Sequence, residues 1–179
     1  MSARADQLEA VFQTCFHTRY RTRLQGGASE PLYLPASAGR DAIIFYRADY
    51  AASALHEVAH WCIAGAERRR REDYGYWYIP DGRDAAQQRA FQQAEQQPQA
   101  LEWHFARAAG VPFRISLDNL AASTDDGPAF AAAVAAQAQR LCQTGLPPRA
   151  ESFRRALASR FGGVAAPAPD SFTLAALST

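Results

Sequence analysis

The stretch Leu55-His56-Glu57-Val58-Ala59-His60-Trp61-Cys62 decides how the rest of this 179-residue chain is read. It carries the pattern His-Glu-x-x-His inside a run that predicts a helix from about Tyr50 to Ala64. Residues four apart on a helix stack on one face, so the imidazoles of His56 and His60 point the same way and can share one metal ion. Glu57 is rotated by roughly 100° from His56, which puts it beside the pair as an acid or base. The flanks, Ala51 to Leu55 and Trp61 to Gly65, are almost wholly apolar, and a helix of that kind belongs in a core. Two imidazoles and a carboxylate are costly there unless something satisfies them, and a metal ion does. The plainer reading is a pair of core histidines bonded to backbone carbonyls.

Composition narrows the class. The length suits one domain with a real core. Net charge is +1, so no overall field demands nucleic acid or a membrane surface. All 19 basic residues counted with lysine are arginine. Cys15, Cys62 and Cys142 have neither metal nor redox spacing, which fits a reducing cytosol. The N-terminus shows no signal core and no run is long enough to span a bilayer, so a cytoplasmic protein is expected.

Before the motif, Leu8, Val11, Phe12, Cys15 and Phe16 have helical spacing over residues 5–20. Gly26-Gly27-Ala28 reads as a loop. Leu32 to Leu34, between Pro31 and Pro35, reads as a short edge strand. Asp41 to Arg47 is the best strand signal in the chain. It leads into the motif helix, with Asp49 as the expected N-cap, and would lay an extended edge beside the ion.

After the motif, Arg68-Arg69-Arg70-Arg71 reads as cations at the carbonyl end of the helix, with a docking patch for an acidic protein as the other reading. Tyr74-Gly75-Tyr76-Trp77-Tyr78-Ile79-Pro80-Asp81-Gly82-Arg83-Asp84 is either a core strand or the wall of a pocket for ammonium groups. Asp84 can cap a helix to about Gln97, and Pro98 either kinks it or opens the next one. Phe91, Glu95, Pro98, Glu102 and Phe105 recur at spacings of four and three, so Glu95 and Glu102 are both candidates for a third ligand. Asp125, Asp126 and Glu151 sit in more solvent-like settings. His17 and His104 lack partners at metal spacing and read as structural or surface residues. A short strand is expected over Phe113 to Leu120, and helices over 128–143 and about Arg149 to Phe161. Residues 164–179 form a Pro/Ala-rich tail, expected to be poorly ordered.

Two histidines and a carboxylate serve two chemistries. Zinc would hold them tetrahedrally, with Glu57 as the general base of a metallopeptidase. Ferrous iron would take the same trio on one face of an octahedron. Spacing alone favours the zinc peptidase.

Longer motifs change that choice. Glu30-Pro31-Leu32-Tyr33-Leu34-Pro35-Ala36, Ala52 to Glu57 with His60 to Gly65, Gly75-Tyr76-Trp77-Tyr78 with Pro80 to Asp84, and Pro98-Gln99-Ala100-Leu101 resemble the bacterial elongation factor P hydroxylase family. The resemblance is collinear from about Leu8 to Phe161. It implies a hydroxylase of the β-lysylated lysine of elongation factor P, similar to zinc peptidases around the metal helix. It implies a metal site of His56, His60 and Glu95, with Glu102 in reserve, and Fe(2+) as the ion, although another divalent metal can take the same donors. The long cationic substrate side chain would then suit Tyr76, Trp77, Tyr78, Asp81 and Asp84, with Glu57 handling protons.

The expected fold is therefore α+β: a mainly helical, zincin-like single domain over 1–163, with a small sheet packed beside the motif helix. The expected function is a metal-dependent lysine hydroxylase acting on elongation factor P, with no nucleic-acid or membrane partner. The rivals are a zinc peptidase and a non-enzymatic module that binds the translation factor.

Overall fold

The computed structural model describes residues 4–73, 84–117 and 127–177. Helix α1 (Ala5–Tyr20) turns Leu8, Val11, Phe12 and Phe16 inward, as their spacing requires. Three strands follow, β1 (Thr22–Ala28), β2 (Leu32–Leu34) and β3 (Ala42–Arg47). They form one sheet in the order β1-β3-β2, with β1 parallel and β2 antiparallel to β3. Buried Ala42, Ile44 and Tyr46 alternate with half-buried Ile43 and Phe45, the period of two that a pleated strand imposes. The proline-bounded segment is the edge strand its composition predicts, and its outer side is pinned by backbone hydrogen bonds between Tyr33 and Asp73.

Two expectations fail in the sheet. Gly26-Gly27-Ala28 is the end of β1, not a loop. A Cβ on Gly26 would lie 2.7 Å from the Tyr46 ring and from the Ala48 carbonyl, so glycine serves a close approach here. The register also slips between Gln25 and Ala28. Strand β3, moreover, offers no free edge beside the metal helix, because β1 and β2 occupy both of its sides.

The motif helix is α2 (Ala51–Ile63). Its N-cap is Tyr50, not Asp49, and no side chain caps it. Ser53 instead accepts a 3.0 Å hydrogen bond from the Arg47 backbone N–H and so ties the end of β3 to the first turn. At the other end, Arg69 donates to the Ala64 carbonyl at 2.6 Å. Arg149 reaches the carbonyls of Trp61, Cys62 and Ala64 at 3.0, 3.0 and 2.6 Å and lies over the Trp61 ring. The arginine run thus compensates the carbonyl end of α2 through Arg69, while Arg68 pairs with Asp73 and Arg70 with Glu67.

Helix α3 (Ala85–Ala109) is one uninterrupted element with Pro98 inside it. Pro98 removes the rung to Ala94, one residue before Glu95, and the helix continues beyond it. Asp84 opens α3 through a reciprocal cap: its carboxylate accepts from Gln87 N at 2.8 Å and Gln87 Oε1 accepts from Asp84 N at 3.0 Å. α3 packs against α2, α4 (Gly127–Thr144) and α5 (Pro148–Phe161). Phe12 meets Trp61 and Phe153 edge-on at ring distances of 5.2 and 6.0 Å, which joins α1, α2 and α5 in one core. The α+β architecture, mainly helical with a small sheet against α2, matches the sequence expectation. No helix among the described residues is long and apolar enough to cross a membrane.

The expected strand over Phe113 to Leu120 is absent through residue 117, and 118–120 lie outside the described residues. The Gln99 side chain takes the place of a partner strand. Its Nε2 donates to Ser116 O at 2.7 Å and its Oε1 accepts from Ser116 N at 3.1 Å.

The tail also departs from expectation. Phe172 is fully buried, 5.1 Å from the Trp103 ring and 4.3 Å from the His104 ring, and Gln139 donates to its carbonyl at 2.7 Å. Gly163 permits this return, since a Cβ there would collide with the carbonyls of Arg107 and Ala108. Phe172→Ala should cost about 3–5 kcal/mol in urea unfolding, the usual price of emptying a buried aromatic site. A loss below about 1 kcal/mol would mean that the tail contributes nothing to the core.

His104 is a fully buried structural residue whose Nε2–H donates to the Ala138 carbonyl at 3.0 Å, and its Nδ1 has no partner among the described residues. Burial pushes its pKa down to about 4. The unfolded chain takes up this proton near pH 6.5 and the folded chain refuses it until about pH 4. Stability is therefore fully present above pH 6.5 and lost as pH falls toward 4. Between pH 7 and 5 the loss is about 2 kcal/mol. His104→Gln should lack this increment; equal acid sensitivity in both proteins would show that His104 is charged in the fold.

Candidate metal centre

Two crossing helices, α2 and α3, build the centre. The i, i+4 spacing on α2 places His56 Nε2 and His60 Nε2 3.1 Å apart. Glu95 on α3 brings one carboxylate oxygen to 3.1 Å from His60 Nε2 and the other to 3.5 Å from His56 Nε2. Glu95 is only 1% exposed. Donor atoms of His56, His60 and Glu95 all lie within 4.8 Å of one another, so the three could hold one ion. Two ligand atoms about 2.1 Å from a common ion lie roughly 3.0–3.4 Å apart, close to the 3.1, 3.1 and 3.5 Å seen here.

Glu102, the other candidate, meets the same histidine from behind. Its Oε2 lies 2.8 Å from His56 Nδ1, on the side of the ring away from the shared focus. A carboxylate there accepts the Nδ1–H and leaves Nε2 free to ligate. The one-face pattern of α3 identified both acids, but not which ring nitrogen each would meet. Gln99, one turn after Glu95, was not singled out from the sequence. Its Nε2 lies 3.4 Å from Glu95 Oε2 and links that carboxylate to Ser116. The legible signal was a buried amide on the same helical face as Glu95 and Glu102.

Charge in this cluster is tightly coupled. Burial would raise the Glu95 pKa, but the hydrogen bond to His60 and the two imidazoles pull it down to about 2. Burial opposes a charge on His56, but Glu102, Glu95 and Glu57 together raise its pKa to about 10. Burial raises the pKa of Glu57, and the two histidines offset this only in part. Glu57 is 8% exposed and its carboxyl makes no hydrogen bond among the described residues. Three acids thus surround two imidazoles in an otherwise apolar core, and a divalent cation fits that donor set in both number and charge.

A cleft of about 390 Å³ leads from solvent to this cluster, within the range of small-ligand sites. Buried Glu57 and Glu102 and half-buried His56 line it together with Arg47, Tyr50, Ser53, Arg114 and Ser116. Of the residues expected to contact substrate, Tyr76, Trp77, Tyr78 and Asp81 lie outside the described residues, as do Asp125 and Asp126. Asp84 is exposed at the start of α3, where its carboxylate is engaged as the cap. Glu151 is not among the donors of the cluster and pairs with Arg154 and Arg155.

Residues 11–171 match the model of a family described as elongation factor P hydroxylase. The chain is also 48% identical over 159 residues to the elongation factor P lysine hydroxylase of Haemophilus influenzae, an alignment covering 88% of this chain and 89% of that relative.

Proposed function

Because the chain belongs to the elongation factor P hydroxylase family, we propose that it hydroxylates the β-lysylated lysine of elongation factor P, using Fe(2+) held by His56, His60 and Glu95. The observation that carries the metal assignment is the convergence of those three donors at one buried focus. Bound iron would supply the redox chemistry needed to oxidise an unactivated carbon, which zinc does not have.

The chain's own residues divide the remaining work. Glu102 accepts the Nδ1–H of His56 and so fixes the tautomer that presents Nε2 to the focus. Gln99 steadies Glu95 from the opposite side. Glu57, its pKa raised by burial, lines the cleft beside His56, where it can take up or release a proton. The acids lining the cleft suit a substrate side chain that carries ammonium groups. Tyr76, Trp77, Tyr78, Asp81 and Asp84 remain the proposed outer contacts for those groups through ring faces and carboxylates. A translation factor as substrate places the work in the cytoplasm.

The zinc-peptidase reading depends on the same Glu57, and family membership favours the hydroxylase. Intact-mass analysis of elongation factor P from cells with and without this protein tests the proposal. The expected result is one extra oxygen atom on the β-lysylated form, only when the protein is present and oxygen is supplied. An unchanged mass, or a cleaved translation factor, would overturn it.

A further inference from the structure

Arg47 and Arg114 stand on the walls of the cleft that His56, Glu57 and Glu102 also line. Both are exposed. Seven arginines, Arg4, Arg21, Arg23, Arg68, Arg70, Arg154 and Arg155, pair with carboxylates. Arg47 and Arg114 have no such partner among the described residues. The same cleft is lined by Tyr50, which at 58% exposure is one of three exposed large hydrophobic residues among the described residues. Exposed tyrosine and arginine around a concave entrance are the residue types that anchor protein interfaces.

The buried lining of this cleft carries the carboxyls of Glu57 and Glu102, and its exposed rim carries Arg47 and Arg114, which would repel an ammonium-bearing side chain. A basic rim is instead complementary to carboxylates on the body that carries the side chain. We propose that Arg47 and Arg114, together with Tyr50, form the docking surface for an acidic face of the protein substrate around its target lysine. This rests on the hydroxylase reading above. It assigns recognition of the modified side chain to the buried lining of the cleft and recognition of the carrier protein to the rim.

The test compares two substrates, the whole β-lysylated translation factor and a short peptide carrying the same modified lysine between neutral residues. For Arg47→Ala/Arg114→Ala, KM for the protein should rise roughly five- to tenfold with little change in kcat, while KM for the peptide stays put. Arg47→Lys/Arg114→Lys should recover most of the loss. Raising ionic strength should raise KM of the unmutated enzyme more steeply for the protein than for the peptide. Arg140→Ala, which removes an exposed arginine that does not line this cleft, controls for net charge and should alter neither substrate. An unchanged KM for the protein would overturn the proposal. So would equal losses on protein and peptide, which would place the arginines on a small carboxylate co-substrate or in the fold. Failure of the unmutated enzyme to hydroxylate either substrate would instead sink the functional reading on which this one rests.

Discussion

Glu95→Ala is expected to lose tight metal binding and, with it, hydroxylation. Glu95 sits almost wholly buried between His60 and His56, with one oxygen near each Nε2. Removing it leaves two imidazoles from a single helix and no anionic donor at the focus. Outer partners of metal ligands are worth roughly 10–100-fold in affinity, so loss of a direct donor should exceed a hundredfold. The fold should survive, because the substitution also relieves the cost of a buried carboxylate. Glu95→Gln keeps the volume and the contact with Gln99 but not the charge, and should also bind metal poorly. Metal content after gel filtration, read beside a melting curve, gives the answer. Full occupancy in a folded Glu95→Ala protein would remove Glu95 from the site.

The second large effect is expected at Glu102. Its Oε2 lies 2.8 Å from His56 Nδ1, at a site only 8% exposed. Glu102→Ala would leave that N–H without its carboxylate acceptor and free the ring to turn. Metal affinity should fall by roughly 10–100-fold in a chelator competition. Glu102→Gln retains an acceptor oxygen and should fall between the two. A loss in Glu102→Ala as deep as in Glu95→Ala would make Glu102 a direct ligand.

Local periodicity made the first half of this site legible. The convergence of His56 and His60 follows from one turn of helix and needs no tertiary information. The division of labour between Glu95 and Glu102 was not legible from spacing. Both lie on one face of α3, and only the crossing of α3 with α2 sets which imidazole nitrogen each one meets. Resemblance to the family favoured Glu95, and the geometry brings Glu95 to the shared focus.

Elsewhere, local chemistry misled where a distant group decided the outcome. Gly26 resembles a loop residue but is needed as glycine because the Tyr46 ring and the Ala48 carbonyl crowd it. Asp49 is a good cap by type, but the Ser53 bond to Arg47 N fixes the turn and places the helix start one residue later. The tail looks like a linker by composition, and a single buried aromatic, Phe172, docks it. The segment Phe113 to Leu117 has strand-like alternation, but its hydrogen-bonding partner is the side chain of Gln99.

Anomalous diffraction at the iron edge, from crystals of the protein loaded with Fe(2+) under anaerobic conditions, tests the metal centre most directly. The expected result is one peak within bonding distance of His56 Nε2, His60 Nε2 and a Glu95 oxygen, with Glu102 still on His56 Nδ1. A peak at any other cluster, or an ion bound by the two histidines with Glu102 in place of Glu95, would contradict it.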